Sequence, residues 1–124
     1  MRFLSMVRIN EASGQKPDER LMKEMGKLVE EMTRSGALVS TAGLTPTREG
    51  KRVRSQHGKI SVTDGPFVES KEVVGGYAIL EAPSMKEAIE MTRRFVAVHG
   101  EDWNVECEVR PLASPEMGAA HQGK

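Results

Sequence analysis

Asp64, Tyr77 and His99 are the side chains in this 124-residue sequence whose types best suit proton transfer. Asp64 opens the run DGPF, where proline restricts the preceding glycine, and a carboxylate held at a strand end could act as a general base or bind a polar ligand. The competing role for Asp64 is an Asx turn, in which the carboxylate accepts bonds from nearby backbone N–H groups. For His99, at the predicted end of a helix, capping is a sufficient role unless Asp64 lies nearby.

Charged residues near Asp64 form a second candidate set. Arg52 and Arg54 concentrate positive charge in a predicted hairpin, and Lys71 and Glu72 follow the DGPF run. A small anionic substrate could be bound by this set. A solvated polar hairpin face is the alternative, because an exposed hairpin in a neutral protein needs polar side chains.

Composition narrows the classes of function. Eighteen basic and eighteen acidic residues cancel, so a nucleic-acid partner is not expected. Cys107 is the only cysteine, so no disulfide and no thiolate metal site is predicted. The pair Gly75-Gly76 precedes no predicted helix and is therefore not a phosphate-binding fingerprint. We expect no cofactor, no metal, no membrane partner and a cytoplasmic location, since no apolar run resembles a signal peptide or a membrane span.

The first half of the chain predicts a strand, a helix, a strand and a hairpin. Residues 2–9 are apolar on both faces, as in a central strand. Helical spacing of apolar residues starts after Asp18 and ends at Gly36, and ALVSTAGL follows as a strand. Residues 51–64 predict a hairpin that turns at His57-Gly58 and pairs Val53 with Val62.

The second half predicts a strand, a helix and a strand. GGYAILE is apolar on both sides, and Ser84 begins a capping box that opens a helix with Ile89 among its inward residues. Alternation from Trp103 to Arg110 predicts a half-buried strand with Cys107 pointing inward. Without the hairpin, the order is the ferredoxin-like βαββαβ arrangement of the α+β class. We predict one domain over residues 1–112 and a flexible tail over residues 113–124.

The second face of the predicted sheet indicates a homodimer. Two helices can cover one face only, yet residues 2–9 and 76–80 are apolar on both faces. An uncovered apolar face requires a partner. We therefore expect two copies of the chain to pack through their sheets.

The motifs also resemble a known family. VTDGPFVESKEVVGGYAILE, with AGLTPTREGKRVR before it and CEVRPL after it, resembles the DGPF branch of the YCII-related proteins. The specific part is the combination Asp64-Gly65-Pro66-Phe67, Lys71-Glu72 and Gly75-Gly76-Tyr77. The resemblance extends over nearly the whole chain, from Arg2 to Leu112, and implies a dimeric ferredoxin-like α+β fold.

Two functions follow from the resemblance and the residues together. Some YCII relatives are similar to small enzymes with a histidine and aspartate pair, such as dehydrochlorinases, but their first-helix histidine has no counterpart here. A cofactor-free enzyme, lyase or isomerase-like, would use Asp64 as acid/base on a small polar or aromatic acid. DGPF relatives are often encoded beside extracytoplasmic-function sigma factors, which implies the alternative, a non-catalytic small-molecule-binding or regulatory module associated with sigma-factor-dependent transcription.

Overall fold

Four antiparallel strands form the main sheet of the computed structural model, which describes residues 1–113. The elements in chain order are β1 (Arg2–Ile9), α1 (Glu19–Ser35), β2 (Leu38–Gly43), β3 (Lys51–Gln56), β4 (Lys59–Asp64), β5 (Val73–Glu81), α2 (Met85–Val98) and β6 (Glu106–Pro111). The strand order in the main sheet is β2-β5-β1-β6, and β3 and β4 form a separate two-stranded sheet. This is the predicted ferredoxin-like α+β fold with an inserted hairpin.

The helix α1 begins and ends at the residues that the sequence predicts. The Asp18 side chain accepts a bond from the Leu21 backbone N–H at 2.8 Å and so caps the first turn. Gly36 adopts φ +84° at the other end, a left-handed conformation that glycine takes without strain. Arg20 also donates to the carbonyl oxygens of Val98 and His99, each at 3.3 Å, and thus ties α1 to the end of α2.

The start of α2 differs from the prediction. The Ser84 hydroxyl bonds the Glu87 carboxylate and makes no bond to the helix backbone, so the predicted capping box is wrong in this respect. Ile89 was predicted to point inward but is exposed, since Ala88, Thr92 and Phe95 occupy the buried side of the helix. The helix itself was predicted correctly, but its buried side is narrower than predicted and does not include Ile89.

The hydrophobic core lies between the two helices and one face of the main sheet. Phe3 and Leu80 are its two large side chains that are almost completely buried. The cluster is completed by buried apolar residues from the helices, β2, β5 and the residue after β5: Leu28, Met32, Leu38, Ala78, Ala82, Ala88 and Phe95. The buried Thr92 hydroxyl donates to the Ala88 carbonyl at 2.9 Å, so it is not left without a partner.

The other sheet face carries apolar side chains that no element described in residues 1–113 covers. Neighbouring strand residues point to opposite faces, so Leu4 and Met6 lie opposite the core, as do their cross-strand partners Ile79 and Tyr77. All four are half-buried. We call this surface, defined by Leu4, Met6, Tyr77 and Ile79, the open face. Its composition confirms the two-sided apolar pattern expected of the central strands.

The hairpin, residues 51–64, has the predicted register. Val53 pairs with Val62 and Lys51 with Asp64, while His57 and Gly58 form the turn with φ +52° and +82°. Positive φ at both turn residues matches the right-handed twist of the strands. Local turn chemistry was therefore sufficient to fix the pairing.

The last strand is shorter than predicted. It begins at Glu106, so Trp103 lies before it. Cys107 is half-buried, and burial raises the pKa of its thiol. The predicted tail falls almost entirely on residues 114–124, which lie outside the described residues. Within residues 1–113, no helix is both long and apolar enough to cross a membrane.

The double glycine corresponds to a β-bulge. Val7 pairs with Gly76 and Arg8 with Val74, so Gly75 is an extra residue in β5. A Cβ atom on Gly76 would lie 3.0 Å from the Ala42 carbonyl oxygen. The structural interpretation of this glycine pair, a bulge at the entry to a central strand, is confirmed.

Candidate functional site

The hairpin is attached to the main sheet by a compact joint, which we define as residues 65–70 together with the turn 47–50. The Gly65 N–H donates to the Gly50 carbonyl at 2.9 Å, and the Phe67 N–H donates to the Thr47 hydroxyl at 3.2 Å. A short 3-10 helix, Thr47–Glu49, begins this turn, and the Gly65-Pro66 peptide bond is cis. The DGPF run therefore serves first as a structural connection.

Gly65 lies against the backbone of the joint. A Cβ atom at this position would lie 1.7 Å from the Thr47 carbonyl oxygen and 2.7 Å from its carbon. Both are backbone atoms held by hydrogen bonds, so they cannot move aside as the end of a flexible side chain could. The position requires glycine because of this close approach, although its φ is not positive.

Glu11 fixes the joint from a distant part of the sequence. Its carboxylate accepts bonds from the Thr47 hydroxyl at 2.6 Å and from the Thr47 N–H at 2.8 Å. The hydroxyl bond, followed by the N–H bond, holds the pKa of the Glu11 carboxyl below its ordinary value. No motif in the sequence indicates Glu11 or Thr47, because the two residues lie 36 positions apart in the chain.

Arg52 is held in the joint by three different contacts. Its guanidinium carbon lies 3.8 Å from the centre of the Phe67 ring, a cation–π geometry. The same guanidinium donates to the Ser70 hydroxyl at 3.0 Å and bonds the Glu69 carboxylate. Its side chain is 37% exposed, so one side of a fixed cation faces solvent.

Glu69 is the carboxylate that forms an ion pair with Arg52 of the hairpin. Its own backbone N–H and the Arg52 guanidinium lower its pKa, and the nearby charge of Arg54 contributes in the same direction. Arg52 and Arg54 lie on the same face of β3, two residues apart. The structure thus brings together two of the four predicted substrate-binding residues.

The other two predicted substrate-binding residues lie elsewhere or make no comparable contact. The Glu72 carboxylate lies 3.8 Å from the guanidinium of Arg8, a β1 residue on the same side of the sheet as the open face. Lys71 is exposed and forms no ion pair within residues 1–113. Neither joins the cluster around Arg52.

Asp64 is an exposed residue at the base of the hairpin. Its side chain is 76% exposed, and its carboxylate accepts a bond from the Lys51 ammonium at 2.5 Å. Lys51 is its cross-strand partner. Among the described residues, the Asp64 carboxylate accepts no backbone hydrogen bond, so the Asx turn considered from the sequence is not formed. The Thr47 hydroxyl bonds the joint backbone instead.

Tyr77 and His99 lie on opposite sides of the sheet. Tyr77 belongs to the open face. His99 follows α2 in the helical layer, where its Nδ1 lies 2.9 Å from the Phe95 carbonyl oxygen and its ring meets Trp103 edge-on at 5.4 Å. Together with Asp64 on the separate hairpin, the three predicted catalytic residues occupy three different parts of the molecule.

Two shallow grooves lie along α2. One, of about 360 Å³, is lined by charged residues of both helices, with Arg94 bonded to Glu31. The other, of about 400 Å³, lies between α2 and β6 and is mainly apolar, with Ile89, Val96 and Val109 in its lining. Neither groove contains a predicted site residue.

Comparison with known proteins agrees with this architecture. Residues 1–106 match the YCII-related domain family. This chain belongs to that family. It is also similar to an uncharacterised protein of Rhizobium meliloti (strain 1021), with 30% identity over 110 residues that cover 89% of this chain and 87% of the relative. The predicted family is thereby confirmed for this YCII-related protein.

Replacing Gly65 by alanine should disrupt the joint. We expect Gly65→Ala to lower the free energy of unfolding by about 3 kcal/mol or more, because the new Cβ would overlap the Thr47 backbone. Gly43→Ala is the matched control, since no atom lies within 4 Å of a Cβ there, and its effect should stay within about 0.5 kcal/mol. Urea unfolding measures both. Equal stability of the two variants would contradict the close approach.

Glu11 and Asp64 should affect stability differently. Asp64→Ala should change the free energy of unfolding by less than about 0.5 kcal/mol at pH 7, because its ion pair is exposed. Glu11→Gln should be destabilising at pH 7, because the Thr47 bonds lower the pKa of the folded carboxyl and so favour the folded state above the unfolded pKa of about 4.3.

The stability difference between wild type and Glu11→Gln should decrease as the pH is lowered. A depressed folded pKa contributes stability that is lost as the pH falls through it, so the gap between wild type and Glu11→Gln should shrink below about pH 4. Urea midpoints between pH 7 and pH 3 give the measurement. A gap that widens on acidification would show that Glu11 does not act through its ionised form.

Proposed function

We propose that this YCII-related protein is a non-catalytic homodimeric module that binds a small organic acid at Arg52. The observation that carries the proposal is the fixed guanidinium itself, stacked on Phe67, bonded to Ser70 and open to solvent on one side. A planar guanidinium matches the two oxygens of a carboxylate, and holding it in place lowers the entropic cost of binding.

Glu69 supports this proposal because its carboxylate already occupies the position that a ligand would take. It bonds Arg52 and lies in the field of Arg54, yet its side chain is 64% exposed. An internal carboxylate on an exposed loop can be displaced by an external one with little change elsewhere. Arg54 forms no ion pair within residues 1–113 and is a second cation for the incoming acid.

Binding is favoured over turnover by the positions of the titratable residues. Proton transfer needs an acid or base within hydrogen-bonding reach of a common ligand. Asp64 is bonded to Lys51 at the hairpin base, while Tyr77 and His99 lie on opposite sides of the main sheet. Within residues 1–113, none of these three residues contacts Arg52, so the proton-transfer groups predicted for the alternative, a lyase or isomerase-like enzyme, are not assembled there. A regulatory association with sigma-factor-dependent transcription, and membership of the DGPF branch, follow from the resemblance and belong to the same proposal.

The homodimer in this proposal uses the open face. Leu4, Met6, Tyr77 and Ile79 together form an apolar centre, and charged residues of β6 lie beside it, including Glu108 and Arg110. An apolar centre with a polar margin is the usual composition of a protein interface. Packing two such faces together would complete the second layer that the sheet lacks.

Binding of an organic acid can be measured by calorimetry with sodium benzoate, using benzylamine as the cationic control. We expect benzoate to bind and benzylamine not to bind. Arg52→Gln and Arg54→Gln should each weaken benzoate binding about tenfold or more, because each removes a cation. Glu69→Gln should strengthen it severalfold, because the competing carboxylate is gone.

The control variant is Arg93→Gln, which removes an exposed arginine of α2 that lies away from the joint and pairs with Glu90. It should leave benzoate binding unchanged. Unfolding midpoints of all variants separate loss of binding from loss of folding. Failure of wild type to bind benzoate, or equal binding by Arg52→Gln, contradicts the proposed site. Chemical conversion of the bound acid, abolished by Asp64→Ala, would favour the enzyme instead.

Association through the open face can be tested by light scattering. We expect a dimer mass at micromolar concentration, and a dissociation constant raised about tenfold or more in the double variant Met6→Thr, Ile79→Thr, because two apolar contacts are lost from each copy. Met22→Gln is the control, since Met22 is exposed on α1. A monomer mass for wild type, or a double variant that dimerises like wild type, would rule out this interface.

A further inference from the structure

The hairpin carries three of its four basic side chains on one face. Strand alternation and the register of β3 with β4 place six polar residues on the side that contains Arg52, and we call this surface the basic hairpin face. Its cross-strand pairs are Arg52 with Thr63, Arg54 with Ser61, and Gln56 with Lys59. Three of the six side chains are cations and none is an acid. The basic hairpin face therefore has no counter-charge within the hairpin.

The acid of the hairpin lies on the opposite face. Asp64 is the only acidic residue in positions 51–64, and it pairs in register with Lys51. Their side chains form an ion pair at the base of the hairpin. Because neighbouring strand residues point to opposite faces, this ion pair lies on the side away from Arg52. It neutralises Lys51 and leaves the basic hairpin face unbalanced.

Glu69 is the carboxylate that forms an ion pair with the basic hairpin face within residues 1–113. It bonds Arg52, and the charge of Arg54 also lowers its pKa. Arg54 and Lys59 form no ion pair in this part of the chain, whereas most of its other arginines do. One carboxylate therefore serves three cations.

The cations are spaced for two separate anionic groups. Arg52 and Arg54 are two residues apart on β3, so their Cα atoms lie about 7 Å apart along the strand. Lys59 is the diagonal cross-strand neighbour of Arg54, whose direct partner is Ser61. Long side chains reach across such a diagonal. One anionic group can thus contact Arg52 while another contacts both Arg54 and Lys59.

We propose that the acid bound at Arg52 is a dicarboxylic acid whose second carboxylate lies between Arg54 and Lys59. This inference rests on the binding site proposed above and specifies its class of ligand. A monocarboxylate that displaces Glu69 exchanges one negative charge for another, so two cations remain without a counter-ion. A second carboxylate supplies the missing charge, and the exposed Ser61 hydroxyl beside Arg54 can donate to it.

The preference for a dicarboxylic acid can be measured by calorimetry with terephthalate and benzoate, which share one ring. Terephthalate carries its second carboxylate at the far end of the ring, at a distance comparable to that between alternate residues of a strand. We expect terephthalate to bind at least about fivefold more tightly than benzoate. Monomethyl terephthalate has nearly the same shape but one charge, and it should bind like benzoate. Phthalate, whose two carboxylates are adjacent, should gain less than terephthalate.

The contribution of Lys59 is tested by the ratio of terephthalate affinity to benzoate affinity. Lys59→Gln should lower this ratio about threefold, because it removes a cation from the second carboxylate, and Lys59→Arg should preserve it. Lys51→Gln is the matched control, since it removes a lysine from the opposite face of the same hairpin and should leave the ratio unchanged. Added salt should reduce the ratio in wild type, because it screens exposed charges.

The outcomes separate this inference from the binding site on which it rests. Benzoate binding that depends on Arg52, with terephthalate bound no more tightly, would overturn the dicarboxylic acid and keep the site. An equal gain for phthalate, or an equal fall of the ratio in Lys51→Gln and Lys59→Gln, would show that net charge alone is sensed and would also overturn it. A wild type that binds neither benzoate nor terephthalate would overturn both proposals.

Discussion

The hydrogen bonding of Thr47 is the constraint on which the placement of the hairpin depends. Its hydroxyl donates to Glu11 and accepts from the Phe67 N–H, and its carbonyl leaves room at Gly65 for a hydrogen atom only. These contacts bring together the segment after β1, the turn after β2 and the DGPF run. The orientation of Phe67, and through it that of Arg52, follows from this one residue. A threonine that the sequence gives little reason to notice thus influences where the Arg52 side chain points.

The parts of the fold that sequence reasoning predicted are those governed by neighbouring residues. The caps of α1, the His57-Gly58 turn and the bulge at Gly75 each depend on a few adjacent residues with strong conformational preferences. The ferredoxin-like fold followed from the order of such elements, and the family from the resemblance of the DGPF run and its neighbouring motifs. The bond between Glu11 and Thr47 could not be predicted this way, because 36 positions separate the two residues. The pairing of Asp64 with Lys51, by contrast, followed from the predicted register of the hairpin.

Two arginines of the candidate site were predicted from the sequence, but the contacts that position them were not. Arg52 and Arg54 were chosen for their charge, and the structure adds what holds Arg52, namely the Phe67 ring and the Ser70 hydroxyl. The residues that were predicted for proton transfer from their chemical type do not lie together. Strand alternation places Tyr77 on one side of the sheet, whereas His99 follows a helix on the other side. Residue type predicts what a side chain can do, whereas tertiary packing decides which side chains can act together.

The hydrogen bond from the Gly65 N–H to the Gly50 carbonyl joins the two residues that flank the hairpin, where the chain leaves the domain and returns to it. Residues 51–64 lie beyond this bond and, within residues 1–113, pair as strands only with each other. Apart from Arg52, which contacts the joint, substitutions in these fourteen residues should therefore leave β5 and the core intact. The hairpin is in this sense separated from the rest of the fold, and changes in its outer surface need not be compensated in the domain that carries it.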